Sequence, residues 1–359
     1  MRLKSICYKE NHLTAGANPW ELEKLSLGER NLIVGKNATG KTRIIHVINN
    51  LARLIKTQQI FNGEWTASFI DESNDSFEFS IAYENGKVIK EQISINSQKK
   101  LERTSSLAQI FSDITLEWQT IFPPNDRLVL HVRRDEKEFP FLENLVLWAD
   151  GVRGFSFANT SPNLIEIPEK PSQLISLNAV PSALEQLSSQ QLKKVINQLN
   201  EIGYDLEAVS TGVVTGLQPT AKMILFKERG IANLLKQFEI SQGMFRAFSV
   251  LTIFEFLRSS GSVGTILVDD FGEGLDFERS KKLAEIIFED QSESQIQFVM
   301  TSNDSFLMNT VPLTELTICY RSIHKVKCLN YSNSKDKFDE WQQLGLNNFD
   351  LLTSNFLNQ

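Results

Sequence analysis

A run of eight residues carries the strongest chemical signal in the chain. It reads Gly35-Lys36-Asn37-Ala38-Thr39-Gly40-Lys41-Thr42 and fits the pattern G-x-x-x-x-G-K-[ST] at every fixed position. Glycines in such a loop let backbone N–H groups close around a phosphate. Lys41 is expected to pair with the β- and γ-phosphates of a nucleotide, and Thr42 to offer its hydroxyl to Mg²⁺. The predicted nucleotide-binding residues here are Asn37, Ala38, Thr39, Gly40, Lys41, Thr42 and Arg43.

The residues on either side of this loop predict the elements that position it. Residues 31–34 are a short apolar run suited to a buried strand, and residues 43–56 repeat apolar side chains at helical spacing. A strand, a glycine loop and a helix in this order direct the N-terminus of the helix at an anion. The flanks therefore agree with the phosphate-binding interpretation.

A pair of carboxylates follows a second apolar stretch. Residues 265–268 predict a buried strand that ends at Asp269 and Asp270. Asp269 is placed to act with Thr42 as a ligand of Mg²⁺, and Asp270 to polarise an attacking water molecule. Glu273 is the next candidate for that second role.

Two further runs resemble motifs of the ABC-type ATPases. Ile240-Ser241-Gln242-Gly243, followed by Arg246, resembles their signature motif, and Gly274-Leu275-Asp276 resembles their D-loop. The order of all the motifs matches that family. The resemblance covers residues 1–60 and 223–331 and is closest to the soluble SMC, RecF and OLD (overcoming lysogenisation defect) ATPases. The loop at 35–42 and the run 269–276 also resemble stand-alone AAA/ABC ATPases of bacterial phage-defence operons.

This resemblance implies how the chain would work with ATP. Ser241 and the N–H groups around Gly243 would reach the γ-phosphate bound by a second copy, so that two chains close head to tail on ATP and separate after hydrolysis. Asp270 stands where the family usually has glutamate, and Asn303 where it usually has a switch histidine. Aspartate is shorter by one methylene and asparagine does not change charge near neutral pH, so slow turnover is expected.

The rest of the chain predicts an α/β fold: an ABC-type P-loop ATPase sandwich with a mainly parallel sheet. Residues 1–60 and 223–359 are the expected ATPase core. Residues 61–100 alternate polar and apolar side chains around Asn85-Gly86, which predicts an antiparallel β unit. Residues 101–222 are expected to form a mostly helical insertion, with helices at 101–118 and 182–202, a strand at 128–132 and an irregular stretch at 159–181. The tail at 338–356 is expected to be helical with a break at Gly345.

Composition limits the function classes. The chain has 359 residues, 41% of them apolar and 23% charged, and a net charge of -7, which argues against a surface built to hold nucleic acid. Arg133 and Arg134 are the place to look for such a contact, although a solvated loop is the simpler interpretation.

Three cysteines at wide spacing give neither a disulfide framework nor a zinc pattern, so reduced thiols are expected. No membrane-spanning run is present, and a cytoplasmic location is expected. We expect Trp20 to pack in the core rather than stack on adenine.

Four functions are compatible with these features. The first is an ATP-driven switch, a homodimer or higher assembly that controls a protein effector such as a nuclease or toxin in phage defence. The alternatives are a RecF/SMC-like DNA-binding ATPase in DNA repair or chromosome maintenance, a transporter motor subunit, and a nucleotide-binding structural protein. Partner binding is expected on the insertion first and on the tail second, while docking of the tail on its own domain is the expected fate of its apolar side chains.

Overall fold

The computed structural model describes residues 1–10, 19–57, 59, 61–71, 73–163, 180–214, 221–259, 263–289, 295–354 and 356–358. The strands are β1 Arg2–Lys9, β2 Glu21–Ser26, β3 Arg30–Val34, β4 Gly63–Ile70, β5 Ser76–Glu84, β6 Lys87–Ile95, β7 Gln98–Thr104, β8 Leu107–Phe111, β9 Trp118–Ile121, β10 Val152–Ser156, β11 Leu206–Val213, β12 Lys222–Glu228, β13 Leu235–Lys236, β14 Gly264–Asp269, β15 Ile296–Ser302, β16 Leu316–Ser322 and β17 Lys325–Asn330. The helices are α1 Lys41–Thr57, α2 Pro140–Asp150, α3 Val180–Gln186, α4 Ser189–Glu201, α5 Gln242–Ser259, α6 Phe277–Phe288, α7 Ser305–Thr310, α8 Tyr331–Leu344 and α9 Asn348–Thr353.

Within the described residues, one sheet of 14 strands organises the fold. Its order is β10-β14-β15-β3-β16-β17-β2-β1-β4-β5-β6-β7-β8-β9. The strands β10, β14, β15, β3 and β16 run parallel, and every residue of β14 and β15 is buried. Parallel strands covered on both faces need such continuous apolar runs, which is why their sequences do not alternate. A smaller antiparallel sheet joins β11, β12 and β13.

The sheet separates two hydrophobic cores. Side chains alternate across a strand, so Leu32 and Val34 of β3 enter one core and Ile33 enters the other. The first core contains α5 and the tail, and the second contains α1 and the apolar side chains of the antiparallel strands β4 to β8. The carboxyl ends of β3, β14 and β15 therefore meet at one edge, between the two cores.

The antiparallel unit forms as the sequence predicts and continues further along the chain. Asn85 and Gly86 join β5 to β6 with φ angles of 49° and 74°, which suit a two-residue hairpin. The helix expected at 101–118 is wrong, because β7, β8 and β9 extend the sheet there. Arg103 is a charged residue at a buried position of β7, so the strand does not show the usual alternation of polar and apolar side chains. Its guanidinium donates hydrogen bonds to the carbonyl oxygens of Ser105, Pro124 and Arg127.

Two other expectations between residues 101 and 222 need correction. The strand expected at 128–132 is instead a short 3₁₀ turn, Val129–His131, whose first N–H donates to both carboxylate oxygens of Glu91 at 3.1 and 2.9 Å. The helix expected at 182–202 is divided into α3 and α4, because Ser188 caps a new helix start through the N–H of Gln191. The segment thus contains strands as well as helices, and β10 joins the main sheet beside β14. The irregular stretch expected at 159–181 lies largely outside the described residues.

The tail docks on the first core, as expected. Gly345 ends α8 in the left-handed conformation at φ 66°, which produces the predicted break before α9. Phe338, Trp341 and Leu351 are almost fully buried. Among the described residues, no helix has the length and apolar character needed to cross a bilayer.

Candidate functional site

The phosphate loop connects β3 to α1, and both of its glycines are required by close contacts. A Cβ on Gly35 would lie 2.8 Å from the carbonyl oxygen of Cys319, at the neighbouring strand β16. Gly40 has a φ of 102°, and a Cβ there would lie 3.1 Å from the Trp20 ring. Any larger residue at either position would displace the loop. Trp20 is 1% exposed and therefore has the packing role that was expected, so it does not present a face to adenine.

Lys41 begins α1 and is turned back into the loop. Its Nζ donates to the carbonyl oxygens of Gly35 at 2.8 Å and Lys36 at 3.3 Å. Burial lowers the pKa of Lys41, while the nearby side chains of Cys319 and Asp270 oppose that shift. The ammonium group is thus held beneath the loop by acceptors that a phosphate can replace.

A carboxylate from β14 meets the first turn of α1. Oδ1 of Asp269 accepts hydrogen bonds from Oγ1 of Thr42 at 3.1 Å and from Oγ1 of Thr301 at 2.6 Å. Asp269 is 5% exposed, whereas Thr42 is exposed. Hydroxyl and carboxylate oxygens are the donors that Mg²⁺ prefers. The residues present therefore fit a magnesium ion, which would neutralise phosphate charge when bound.

Asp270 has an unusual backbone conformation beside this contact. Its φ is 54°, and its N–H donates to Oγ1 of Thr301 at 3.0 Å. Burial raises the pKa of Asp270, and the charges of Asp269 and Glu273 raise it further. A strained residue held by a buried hydroxyl at a strand end is typical of functional sites. The backbone of Asp270 is thus fixed next to the candidate metal ligand, and the raised pKa makes its carboxylate a stronger base.

Glu273 and Asn303 lie at the rim. Both side chains are exposed. The N–H of Glu273 donates to the carbonyl oxygen of Asp270 at 3.0 Å, which forms a tight turn directly after β14. Asn303 follows β15, and the next residue, Asp304, caps α7. Both are positioned on the same edge as Asp269, at the solvent side.

The candidate signature segment begins α5. Oγ of Ser241 accepts the N–H of Met244 at 3.2 Å, so Ser241 caps the helix while its side chain remains exposed. A Cβ on Gly243 would lie 2.6 Å from the carbonyl oxygen of Gly274. The start of α5 therefore packs directly against the candidate D-loop.

Arg246 fixes these segments to one another. It is 5% exposed, and its guanidinium donates to the carbonyl oxygens of Glu273 at 2.7 Å, Thr160 at 3.1 Å and Ala158 at 3.4 Å. One side chain thus joins the start of α5, the turn just before the candidate D-loop and the turn that follows β10. Hydrogen bonds from a charged donor are stronger than neutral ones, so this is a rigid connection.

Two residues at the site were missed by sequence reasoning. Thr301 binds Asp269 and Asp270, and its only sequence signal is a polar residue at the end of an apolar strand. Arg321, at the end of β16, donates to the carbonyl oxygen of Ala38 at 3.0 Å and so holds the loop from the outside. No sequence pattern indicates this role of Arg321, because the two residues are 283 positions apart in the chain.

Arg43 and Arg134, which the sequence suggested as contacts for nucleotide and nucleic acid, each bond to residues of the same chain. Arg43 lies over the Trp20 ring, 4.5 Å from its centroid, and forms an ion pair with Glu10. Arg134 makes a two-pronged ion pair with Glu143 on α2. The guanidinium of Arg134 therefore contributes to the packing of its own loop.

Comparison with known proteins identifies the family. The sequence model described as "AAA domain, putative AbiEii toxin, Type IV TA system" matches residues 30–309. The fold is similar to an SMC head bound to the C-terminal winged-helix domain of ScpA, with a TM-score of 0.54 and 12% identity over 92% of this chain and 98% of that one. It also matches the SMC head of Thermotoga maritima, with a TM-score of 0.45 and 11% identity over 92% of this chain and 99% of that one. No curated protein matches the sequence. The chain belongs to this AAA-domain family, and its fold is similar to that of an SMC head domain.

Proposed function

We propose that this chain hydrolyses ATP and works as a nucleotide-controlled switch. Two copies close head to tail on ATP and separate after hydrolysis, and the change controls a partner effector in defence against phages. The observation that carries the proposal is the pair of hydrogen bonds to Asp269, from Thr42 at 3.1 Å and Thr301 at 2.6 Å. These bonds bring the candidate metal ligands together at the phosphate loop, which a hydrolytic site requires.

The environment of Asp270 supports hydrolysis, and the residue types at positions 270 and 303 support a slow rate. A carboxylate with a raised pKa is a stronger base, which suits it to orient and polarise water. Aspartate reaches less far than glutamate, and Asn303 offers an amide in place of an ionisable ring. A slow ATPase keeps the ATP-bound state long enough for a partner to respond to it, which is the behaviour that a switch needs.

The start of α5 supports closure with a second copy. Ser241 is exposed at the N-terminus of an 18-residue helix, where backbone N–H groups favour an anion. Arg246 and Gly243 fix this helix start to the D-loop. The γ-phosphate on one chain would therefore be read by a rigid surface of the other, so that loss of the phosphate opens the dimer.

The segment 101–222 supports an effector partner. Ile114, Leu116, Trp118 and Phe122 are between 46% and 74% exposed around β9, at one edge of the sheet. Exposed apolar side chains grouped in this way are typical of protein-binding surfaces. The family description reads "putative AbiEii toxin, Type IV TA system", which supports a role in a toxin–antitoxin system, where a second protein is the partner.

The proposal is tested by measuring phosphate release and molar mass on one preparation. We expect ATP hydrolysis that depends on Mg²⁺, and a doubling of molar mass in light scattering when ATP is added. Hydrolysis without any change of mass would contradict the switch. Stimulation by DNA would instead favour a RecF/SMC-like clamp, so the rate is measured with and without duplex DNA.

A further inference from the structure

Two buried thiols face each other directly beneath the phosphate loop. Cys319 of β16 and Cys328 of β17 are partners in the strand register, and their sulfur atoms lie 2.7 Å apart. Both thiols are free, and the residues are 1% and 2% exposed. The third cysteine, Cys7, is a free thiol on β1. The sequence spacing gave no reason to pair any of them.

The geometry of the pair suits a covalent bond. A disulfide has an S–S distance of about 2.05 Å and Cβ atoms roughly 3.5–4.5 Å apart, which directly opposed residues of an antiparallel pair can approach. The contact with Cys319, together with burial, raises the pKa of Cys328. Cys328 therefore keeps its proton.

The position of the pair links it to the nucleotide loop. The carbonyl oxygen and Cβ of Cys319 would lie 2.8 and 3.4 Å from a Cβ on Gly35, so strand and loop have no clearance between them. Arg321 lies near the turn of the β16–β17 hairpin and donates a hydrogen bond to the carbonyl oxygen of Ala38. The hairpin thus contacts the phosphate loop at Gly35 and at Ala38. A change in the flexibility of the hairpin therefore affects the conformation of the loop.

We propose that Cys319 and Cys328 are a redox modification site that forms a reversible disulfide with a small oxidant such as hydrogen peroxide. The Cys319 thiol attacks the peroxide and gives up its proton, so an S–O bond forms, the O–O bond breaks and the leaving hydroxide takes up that proton as water. Cys328 then displaces the hydroxyl from the Cys319 sulfur, and its own proton leaves with that hydroxyl as a second water. Two thiols are oxidised by two electrons in total, and one peroxide is reduced.

The consequence for the loop rests on the proposed function. A bond between positions 319 and 328 stiffens the hairpin that holds Ala38 and lies against Gly35. It thereby favours the form in which Lys41 is bound to the carbonyls of its own loop. ATP has to displace those carbonyls, so the oxidised protein binds ATP more weakly, on the order of 5-fold, as in the weaker allosteric couplings.

The first measurement concerns the bond itself and does not depend on ATP. The folded full chain is treated with hydrogen peroxide, denatured, alkylated and weighed by mass spectrometry, and peptides are mapped. We expect an intramolecular Cys319–Cys328 bond that dithiothreitol reverses, with Cys7 still alkylated. Cys7→Ser should behave like the wild type, whereas Cys328→Ser and Cys328→Val should form no such bond. Two alkylated or irreversibly oxidised thiols at 319 and 328 in the wild type would overturn the site.

The second measurement compares ATP affinity before and after oxidation by titration calorimetry. A drop of about 5-fold that dithiothreitol restores, and that both Cys328 variants lack, supports the coupling. Equal affinity in the two forms would overturn the coupling. If the reduced wild type binds no ATP while the disulfide still forms, the proposed function fails and the modification site stands, so the two results are distinguishable.

Discussion

The hydroxyl of Thr42 donates to the carboxylate of Asp269 at 3.1 Å, although 227 positions separate the two residues in the chain. The contact exists because β3 and β14 both end at the same edge of the parallel sheet, with only β15 between them. Thr301, at the end of β15, bonds to the same carboxylate oxygen and fills that interval. Three adjacent strands thus supply one polar centre, and the predictions below test its parts.

Lys41→Ala should weaken ATP binding by about 10- to 100-fold, because a charged hydrogen-bond donor to phosphate is lost. The fold should be retained, since the Lys41 ammonium bonds only to loop carbonyls in the contacts described above. Titration calorimetry measures the affinity. Lys56→Ala, in the last turn of the same helix, is the matched control and should bind ATP normally. Near-normal affinity of Lys41→Ala would show that the nucleotide binds elsewhere.

Asp270→Asn should retain ATP binding and slow hydrolysis by about 100-fold or more, the usual contribution of a positioned base. The closed dimer should then persist in light scattering with ATP. Unchanged turnover would move the water-positioning role to Glu273, which Glu273→Gln would reveal.

The pH dependence of hydrolysis should reflect the raised pKa of Asp270. The carboxylate is the active form, so the rate is full above its pKa and falls as the pH is lowered through it. The acid limb should therefore lie above the ordinary aspartate range of about 4. Single-turnover rates at several pH values provide the measurement, and a limb at or below that range would contradict the assignment.

Ser241→Arg should abolish ATP-dependent closure without affecting ATP binding to one chain. The longer cationic side chain would occupy the exposed helix start that is proposed to meet the second copy's γ-phosphate. Ser259→Arg, at the other end of α5, is the control and should close normally. Normal closure of Ser241→Arg in light scattering would remove the signature interpretation.

Arg246→Met should destabilise the chain by about 3 kcal/mol, because it leaves three carbonyl oxygens on two segments without their charged donor. Arg246→Lys restores one charge but not the fork, so its loss should be smaller. Urea unfolding measures both. If both variants are as stable as the wild type, the hydrogen bonds that Arg246 donates contribute little to the stability of the fold.

Much of the nucleotide loop could be predicted from the sequence, because its requirements are local. The glycines at 35 and 40, the lysine and the hydroxyl residue stand next to one another, and the apolar runs on both sides define a strand and a helix without reference to the rest of the chain. Asn85-Gly86 likewise determines its hairpin through its own φ preferences. Asp269 could be predicted for the same reason, since a carboxylate at the end of an apolar run is recognisable from the sequence alone.

Only the tertiary structure decided which distant groups complete the site. Strand order and strand register bring Thr301, Arg321 and the opposed pair Cys319 and Cys328 to the site. No local sequence pattern predicts these contacts. The same reason explains the strands found at 101–118. Arg103 is buried there because carbonyl oxygens of a distant loop accept its hydrogen bonds, and a buried arginine breaks the alternation that identifies a strand. Local chemistry determined the loop, and the pairing of strands far apart in the chain determined what surrounds it.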